Sequence, residues 1–201
     1  MRAVIICGGY ADEYIKKYIR KDDFVICADS GYDYALKFGI EPDIIVGDMD
    51  SVKASTEEKK RIVYPTHKDY TDSELTVLYA KEHGFSEIIM FGMIGSRMDH
   101  TMANISLLKQ LNGLDAVIID GHNEIRYTGS DITIQGNPGD TVSVIPFEGD
   151  CEGVCTYGLE YALKDGTVKS GTSLGVSNVM TGNQCRITIK KGKAFVIRSR
   201  D

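Results

Sequence analysis

The residues best suited to chemistry lie in a short run, Gly47-Asp48-Met49-Asp50-Ser51. There the apolar segment Asp43-Ile44-Ile45-Val46 meets a glycine and two carboxylates spaced i, i+2. Comparable turns occur at Ala28-Asp29-Ser30-Gly31, Lys68-Asp69-Tyr70-Thr71-Asp72 and Gly92-Met93-Ile94-Gly95-Ser96-Arg97-Met98-Asp99-His100. So many acids gathered without a cation would repel one another. Carboxylate oxygens are the hard ligands that Mg²⁺ takes, one or two at a time, beside water and substrate phosphates. Arg97 adds a guanidinium able to grip a phosphate with two hydrogen bonds, and Gly95 lets the backbone approach it. Lys68 is a second candidate phosphate partner, with a solvated surface lysine as its plainer reading. This pattern points to Mg²⁺-dependent transfer involving a nucleoside polyphosphate.

Each residue also has a plainer reading. Asp29 and Asp99 suit helix N-caps, Asp72 suits a first helical turn, and Asp48 with Asp50 suits an Asx turn. His100 is a candidate to cap or orient Asp99. The elements that carry the acids decide between the readings. Arg2–Cys7, Phe24–Ala28, Asp43–Val46, Ile62–Tyr64, Glu87–Phe91 and Ala116–Ile119 are short apolar runs, as expected of parallel strands buried on both faces. Helical patterns fall between them at about Asp12–Arg20, Tyr32–Phe38, Ser55–Lys60, Asp72–His83 and His100–Leu111. In the fourth, Leu75, Leu78 and Tyr79 predict one core face, and Thr71-x-x-Glu74 predicts a capping box. In an open parallel sheet the carboxyl ends of all strands share one edge, where ligands bind. The topology therefore draws Asp29, Asp48, Asp50 and Asp99 to one crevice, and Asp69 and Asp72 with them if Lys68–Asp72 follows the strand at Ile62–Tyr64. Separate capping roles leave that convergence unexplained.

After about His122 the pattern changes. Ile132–Ile134, Thr141–Ile145, Cys185–Ile189 and Ala194–Ile197 are short alternating segments separated by turn pairs such as Asn137-Pro138 and Lys191-Gly192. The expectation is an α/β domain over residues 1–122 with a parallel sheet, followed by an all-β sandwich over 123–201.

Composition narrows the field. A net charge of -6 over 201 residues carries no basic nucleic-acid footprint, and no apolar run reaches the roughly 18 residues of a membrane span. Five cysteines without an export signal suit reduced thiols, so a cytoplasmic protein is expected. Cys151 and Cys155 could form half of a zinc site, but no second pair completes it. No G-x-x-x-x-G-K-[ST] occurs and no G-x-G-x-x-G follows the first strand, which removes the P-loop and dinucleotide-binding routes.

Six motifs stand in one order along almost the whole chain. They are Ala28-Asp29-Ser30-Gly31, Gly47-Asp48-Met49-Asp50-Ser51, Lys68-Asp69-x-Thr71-Asp72-x-Glu74, Gly95-x-Arg97-x-Asp99-His100-Thr101-x-Ala103-Asn104, Gly171-Thr172-Ser173-Leu174-Gly175-x-Ser177-Asn178 and Ser199-Arg200-Asp201. Together they resemble the bacterial thiamine pyrophosphokinases. The resemblance implies an α/β catalytic domain, a thiamine-holding β-sandwich, and a homodimer whose active site lies at the subunit interface. It implies transfer of a pyrophosphoryl group from ATP to thiamine, giving AMP and thiamine diphosphate with Mg²⁺ as cofactor. It assigns Asp48, Asp50, Asp72 and Asp99 to the metal, and Asp50, Asp72, Asp99 and Arg97 to catalysis. Asp29, Lys68, Thr71, Gly95, Arg97 and His100 fall to the nucleotide, and Thr172, Ser173, Ser177, Asn178 and Met180 to thiamine. Met180 departs from the pattern, because many relatives carry a ring-stacking aromatic there; Tyr157 and Tyr161 are the candidate substitutes. Two rival functions follow: transfer to another hydroxyl compound, and a non-catalytic sensor of thiamine or nucleotide.

Overall fold

A computed structural model describes residues 1–50, 52–55, 60–65 and 69–200. Ser51, Lys68 and Asp201 of the motifs lie outside the described residues, as does most of the helix expected at Ser55–Lys60. The chain divides into two compact units, Met1–Gly121 and His122–Asp201.

In the first unit the apolar runs form β1 (Arg2–Ile6), β2 (Phe24–Ala28), β3 (Ile44–Gly47), β4 (Arg61–Val63), β5 (Glu87–Phe91) and β6 (Asp115–Ile119). Their order is β6-β5-β1-β2-β3-β4 and every pairing is parallel. The inner strands are buried on both faces, which is why their sequences read as unbroken Ile, Val and Ala. One core joins Val4, Ile6, Cys27, Ile45 and Phe91 to Ile15, Tyr32 and Phe38 from the covering segments. Each fully buried side chain of this size contributes about 1.5–3 kcal/mol. At the amino edge, Arg2 donates to Asp23 at 2.6 and 2.7 Å and to the Tyr18 carbonyl at 2.8 Å, fastening β1 to the turn before β2. Burial alone would raise the Asp23 carboxyl, yet the bonds from Arg2 and the Arg20 amide hold it below its ordinary value.

Among the described residues three helices cover the sheet: α1 (Gly31–Lys37), α2 (Asp72–Glu82) and α3 (Met98–Ser106). The first expected helix is only a 3-10 turn, Glu13–Lys17, entered through Asp12, whose carboxylate accepts the Tyr14 amide. The last expected helix starts two residues early, at Met98, and tightens into a 3-10 turn over Leu107–Leu111. The α2 core face also differs from the pattern. Leu75, Thr76, Val77 and Ala80 are buried, whereas Leu78 and Tyr79 are half-buried and Tyr79 stacks on His83 at 3.8 Å. The capping box is half made. Thr71 caps the Glu74 amide at 3.2 Å, but the Glu74 carboxylate accepts from Gln110.

The second unit holds β7 (Asn123–Thr128), β8 (Ile132–Gln135), β9 (Thr141–Pro146), β10 (Cys151–Tyr157), β11 (Gly166–Val168), β12 (Asn178–Val179), β13 (Gln184–Thr188) and β14 (Ala194–Ser199). They form two antiparallel layers, β12-β9-β14-β7 and β11-β10-β13-β8. Val142, Val144, Ala194 and Val196 of one layer share a core with Val154, Cys185 and Ile187 of the other. β10 escaped the alternation pattern because its register shifts between Cys151 and Val154, where Gly153 takes φ +66°. Cys155 is no half-site: its sulfur accepts the Asp165 amide at 3.3 Å while Cys151 is buried in the core. Arg198 on β14 reaches Asp140 at 2.7 Å and also pairs with Glu124, with side-chain exposures of 7%, 10% and 16% respectively.

Candidate active site

The first unit opens a cleft of about 520 Å³ at the carboxyl edge of its sheet. Its walls come from the segments after β1, β2, β3 and β5 and from the start of α2. Backbone bonds lock two of these segments together. The Cys7, Gly9 and Tyr10 amides donate to the Phe91, Gly92 and Ile94 carbonyls at 2.9, 2.8 and 2.6 Å. Gly92 is required there twice over: it takes φ +66°, and a Cβ would stand 2.1 Å from the Cys7 carbonyl oxygen. Gly95 is pinned from α3, where the Thr101 hydroxyl accepts its amide at 3.1 Å and donates to its carbonyl at 3.2 Å. Buried Asn104 donates to the Met93 carbonyl at 2.8 Å. Thr101 and Asn104, quoted in the fourth motif without a role of their own, thus fasten a cleft wall.

Asp29, Asp48 and Asp50 come together, with one carboxylate oxygen from each within 4.8 Å of the others. Among the described residues this is the group able to share a cation. Two non-glycine residues in the left-handed region build it: Asp29 at φ 45° and Met49 at φ 64°. Such conformations cost on the order of 1–3 kcal/mol and persist where surroundings enforce them. Met49 packs half-buried on the core, which leaves its two acidic neighbours at the surface. Asp33 steadies the far end of this loop by accepting the Lys53 and Ala54 amides at 3.2 and 3.1 Å. Nothing in the sequence pattern singled out Asp33. The Asx-turn reading also holds, since the Asp48 carboxylate accepts the Asp50 amide at 3.3 Å. Neither capping reading does: α1 is entered through Ser30 and α3 through Arg97, neither with a side-chain cap bond.

Asp72 reaches the same corner. A Cβ on Gly47 would stand 3.0 Å from its Oδ1 and 3.1 Å from the Asp29 Cβ, so the missing side chain makes room for both acids. This oxygen-only donor set, in a corner kept clear by glycine, fits Mg²⁺. Asp99, which the resemblance gives to the metal and to catalysis, faces Arg97 instead of the other acids. It is not in the group of three, and its carboxylate takes both arms of Arg97, at 2.6 and 3.2 Å. Bonds from Arg97 and then from the His100 amide bring its carboxyl down to about 2. Asp99 therefore orients Arg97, which lines the cleft with His100 and Thr71. Asp69 is exposed and stands apart from the cleft lining.

The residues expected to meet thiamine lie on the second unit. Thr172 and Ser173 are exposed, with the Thr172 hydroxyl donating to the Lys169 carbonyl at 2.9 Å. Ser177 takes φ 59°, and its amide donates to the Ser143 hydroxyl at 3.0 Å, a support the sequence did not reveal. Asn178 begins β12 and bonds to Tyr161. Met180, expected to meet thiamine, faces inward instead. It is 1% exposed within the sandwich core, since strand alternation turns it inward against Gly136. It offers no surface to a ring.

Fold and cleft together define a class: an α/β enzyme with an appended β-sandwich, whose acids and arginine suit a divalent cation and a polyphosphate. A family model described as thiamin pyrophosphokinase, catalytic domain, matches residues 15–119, and one described as thiamin pyrophosphokinase, vitamin B1 binding domain, matches residues 130–194. The chain belongs to the thiamin pyrophosphokinase family. It is 30% identical over 205 residues to the thiamine pyrophosphokinase of Bacillus subtilis, covering 96% of this chain and 91% of that one. The crystal structure of the Bacillus subtilis enzyme superposes with a TM-score of 0.91 over the full length of both chains, at 26% identity. That of Geobacillus thermodenitrificans gives 0.90 at 25% identity, covering all of this chain and 98% of the other.

Proposed function

We infer that the protein transfers the pyrophosphoryl group of ATP to the hydroxyl of thiamine, releasing AMP and thiamine diphosphate. The observation that carries this reading is the Asp29–Asp48–Asp50 group, whose Asp29 and Asp48 line the same cleft as Arg97, in a chain that matches both family domains in order. The thiamine oxygen forms a bond to the β-phosphorus of ATP, and the bond from that phosphorus to the bridging oxygen of AMP breaks. Catalysis of this kind rests on in-line positioning and on neutralising phosphate charge. Asp48 and Asp50, with Asp29 and Asp72 adjoining, would hold Mg²⁺, which would supply much of that neutralisation. Arg97, oriented by Asp99, grips a phosphate oxygen. Asp72, at the mouth of α2, takes the hydroxyl proton. Lys68, Thr71, Gly95 and His100 complete the nucleotide's surroundings in this reading. Thr172, Ser173 and the Ser177–Asn178 turn belong to thiamine. A homodimer, joining the α/β unit of one subunit to the sandwich of its partner, and a cytoplasmic location complete the proposal. No helix among the described residues is long and apolar enough to cross a membrane.

Product analysis with thiamine, ATP and Mg²⁺ tests it. Equal amounts of AMP and thiamine diphosphate, formed only with the metal, are expected. ADP with thiamine monophosphate would overturn one-step transfer. No product from thiamine, with turnover of another alcohol, would overturn the acceptor.

A further inference from the structure

The three acids of the cation group come from two places in the chain, and the first turn of α1 ties those places together. Asp29 follows β2 directly, and its carbonyl accepts the Tyr32 amide at 3.0 Å as α1 begins. Asp33, one turn further along, accepts the Lys53 amide at 3.2 Å on one carboxylate oxygen and the Ala54 amide at 3.1 Å on the other. Lys53 and Ala54 follow Asp50 by three and four residues. The same turn thus carries Asp29 into the group and grips the chain that brings Asp48 and Asp50. Two further contacts keep the sides in register. The Asp29 amide donates to the Val46 carbonyl at 3.0 Å, at the end of β3 from which the acids leave. Tyr34, next along α1, packs on the same core as Met49, Val52 and Ala54.

The acid loop has little regular structure to hold it. Residues 48–50 and 52–54 belong to no helix or strand, and Met49 sits in the left-handed region. Carboxylates gathered there also repel one another when no cation is present. A carboxylate accepting two backbone amides is a strong outside hold, because hydrogen bonds to an ionised group are about twice as strong as neutral ones. Asp33 is not one of the three acids within reach of a shared ion, and it stands outside the cleft lining. It can act on the ion only through the loop. We propose that Asp33 is the positioning residue of the metal site. By gripping the Lys53 and Ala54 amides it fixes Asp48 and Asp50 against Asp29, and so sets the affinity for Mg²⁺. This rests on the assignment of that group to Mg²⁺ made above. Mg²⁺ demands near-ideal octahedral geometry, so ligands left loose bind it poorly. Losing a group that orients metal ligands typically costs about ten- to a hundredfold in affinity.

The test is a calorimetric Mg²⁺ titration of EDTA-stripped protein, beside turnover measured at rising Mg²⁺. Asp33→Ala should weaken Mg²⁺ binding about tenfold, and correspondingly more Mg²⁺ should restore its turnover. A merely structural fault would not be repaired by metal. Asp33→Asn keeps one acceptor oxygen without the charge, so its loss should fall midway on a logarithmic scale, at about threefold. That intermediate loss carries the test if the alanine variant does not fold. Unchanged Mg²⁺ affinity in the variants would overturn the assignment, as would turnover that no amount of Mg²⁺ restores. An asparagine variant as weak as the alanine one would also overturn it, since lost charge alone would then explain both. If the unaltered protein takes up no Mg²⁺, or Asp48→Asn takes it up equally well, the metal reading itself fails. If that reading holds and Asp33→Ala binds like the unaltered protein, only the positioning role fails.

Discussion

Asp50→Asn separates metal binding from folding. Asp50 is exposed at the rim of the acid group, and the substitution keeps its amide bond to the Asp48 carboxylate. At an oxygen separation of 4.8 Å two unit charges repel by about 0.9 kcal/mol in water. Asp50 takes part in two such pairs, so about 1.7 kcal/mol is at stake before screening. Physiological salt, with a Debye length of about 8 Å, reduces this to about 1 kcal/mol. Without metal the variant should therefore melt about 2–4 °C above the unaltered protein, by the usual scaling for a chain of this size. With Mg²⁺ the order should reverse. At a hundred times its dissociation constant, a bound ion stabilises the folded state by about 2.7 kcal/mol, or about 5–11 °C. The variant should lose most of that shift together with its turnover. Calorimetry on EDTA-dialysed protein, repeated across a Mg²⁺ series, reads both effects. A variant that melts lower without metal and still gains the full Mg²⁺ shift would refute the reasoning.

Two further expectations concern charges elsewhere. Arg198→Leu leaves half-buried Glu124 and Asp140 without their shared cation and should cost about 1.5–3 kcal/mol in urea unfolding. Replacing all three by apolar residues of similar volume should cost far less, and equal losses in the two variants would dismiss the ion-pair account. Asp99 should titrate at about 2 in the folded protein because of Arg97, and in Arg97→Met it should return towards the ordinary value of about 3.9. Its folded value lies below its unfolded one, so the pair's contribution is present above about pH 4 and is lost as pH falls towards 2. Both side chains are well exposed, so added salt should erode the difference. Carbon-detected NMR titration of Asp99 at its ordinary value in the unaltered protein would rule the pairing out.

Much of this architecture is local in origin, and local features can be read from the chain. Ile44-Ile45-Val46 is apolar throughout because β3 is buried on both faces, and the glycine-acid turn after it marks the sheet edge that carries the cleft. Thr71 announces the start of α2 through its own hydroxyl. The change after residue 121 from helix-period to strand-period patterning separates the two units. These signals need only neighbours in sequence.

What the sequence could not decide are choices between partners distant along the chain. Asp99 has the same side chain as Asp48, yet it turns to Arg97 two residues away, while Asp29 swings into the acid group through a left-handed backbone. Carboxylates are alike in sequence and differ only in which cation or amide reaches them first. Met180 is apolar in either setting, and strand register alone points it into the core. Asn178 and Tyr161 are 17 residues apart, and only the return of segment 158–161 alongside β12 makes one hold the other. The sequence determined the residue types, the elements and the edge where they meet. Tertiary structure decided which hydrogen bonds close first, and so which residues remain for the ligand.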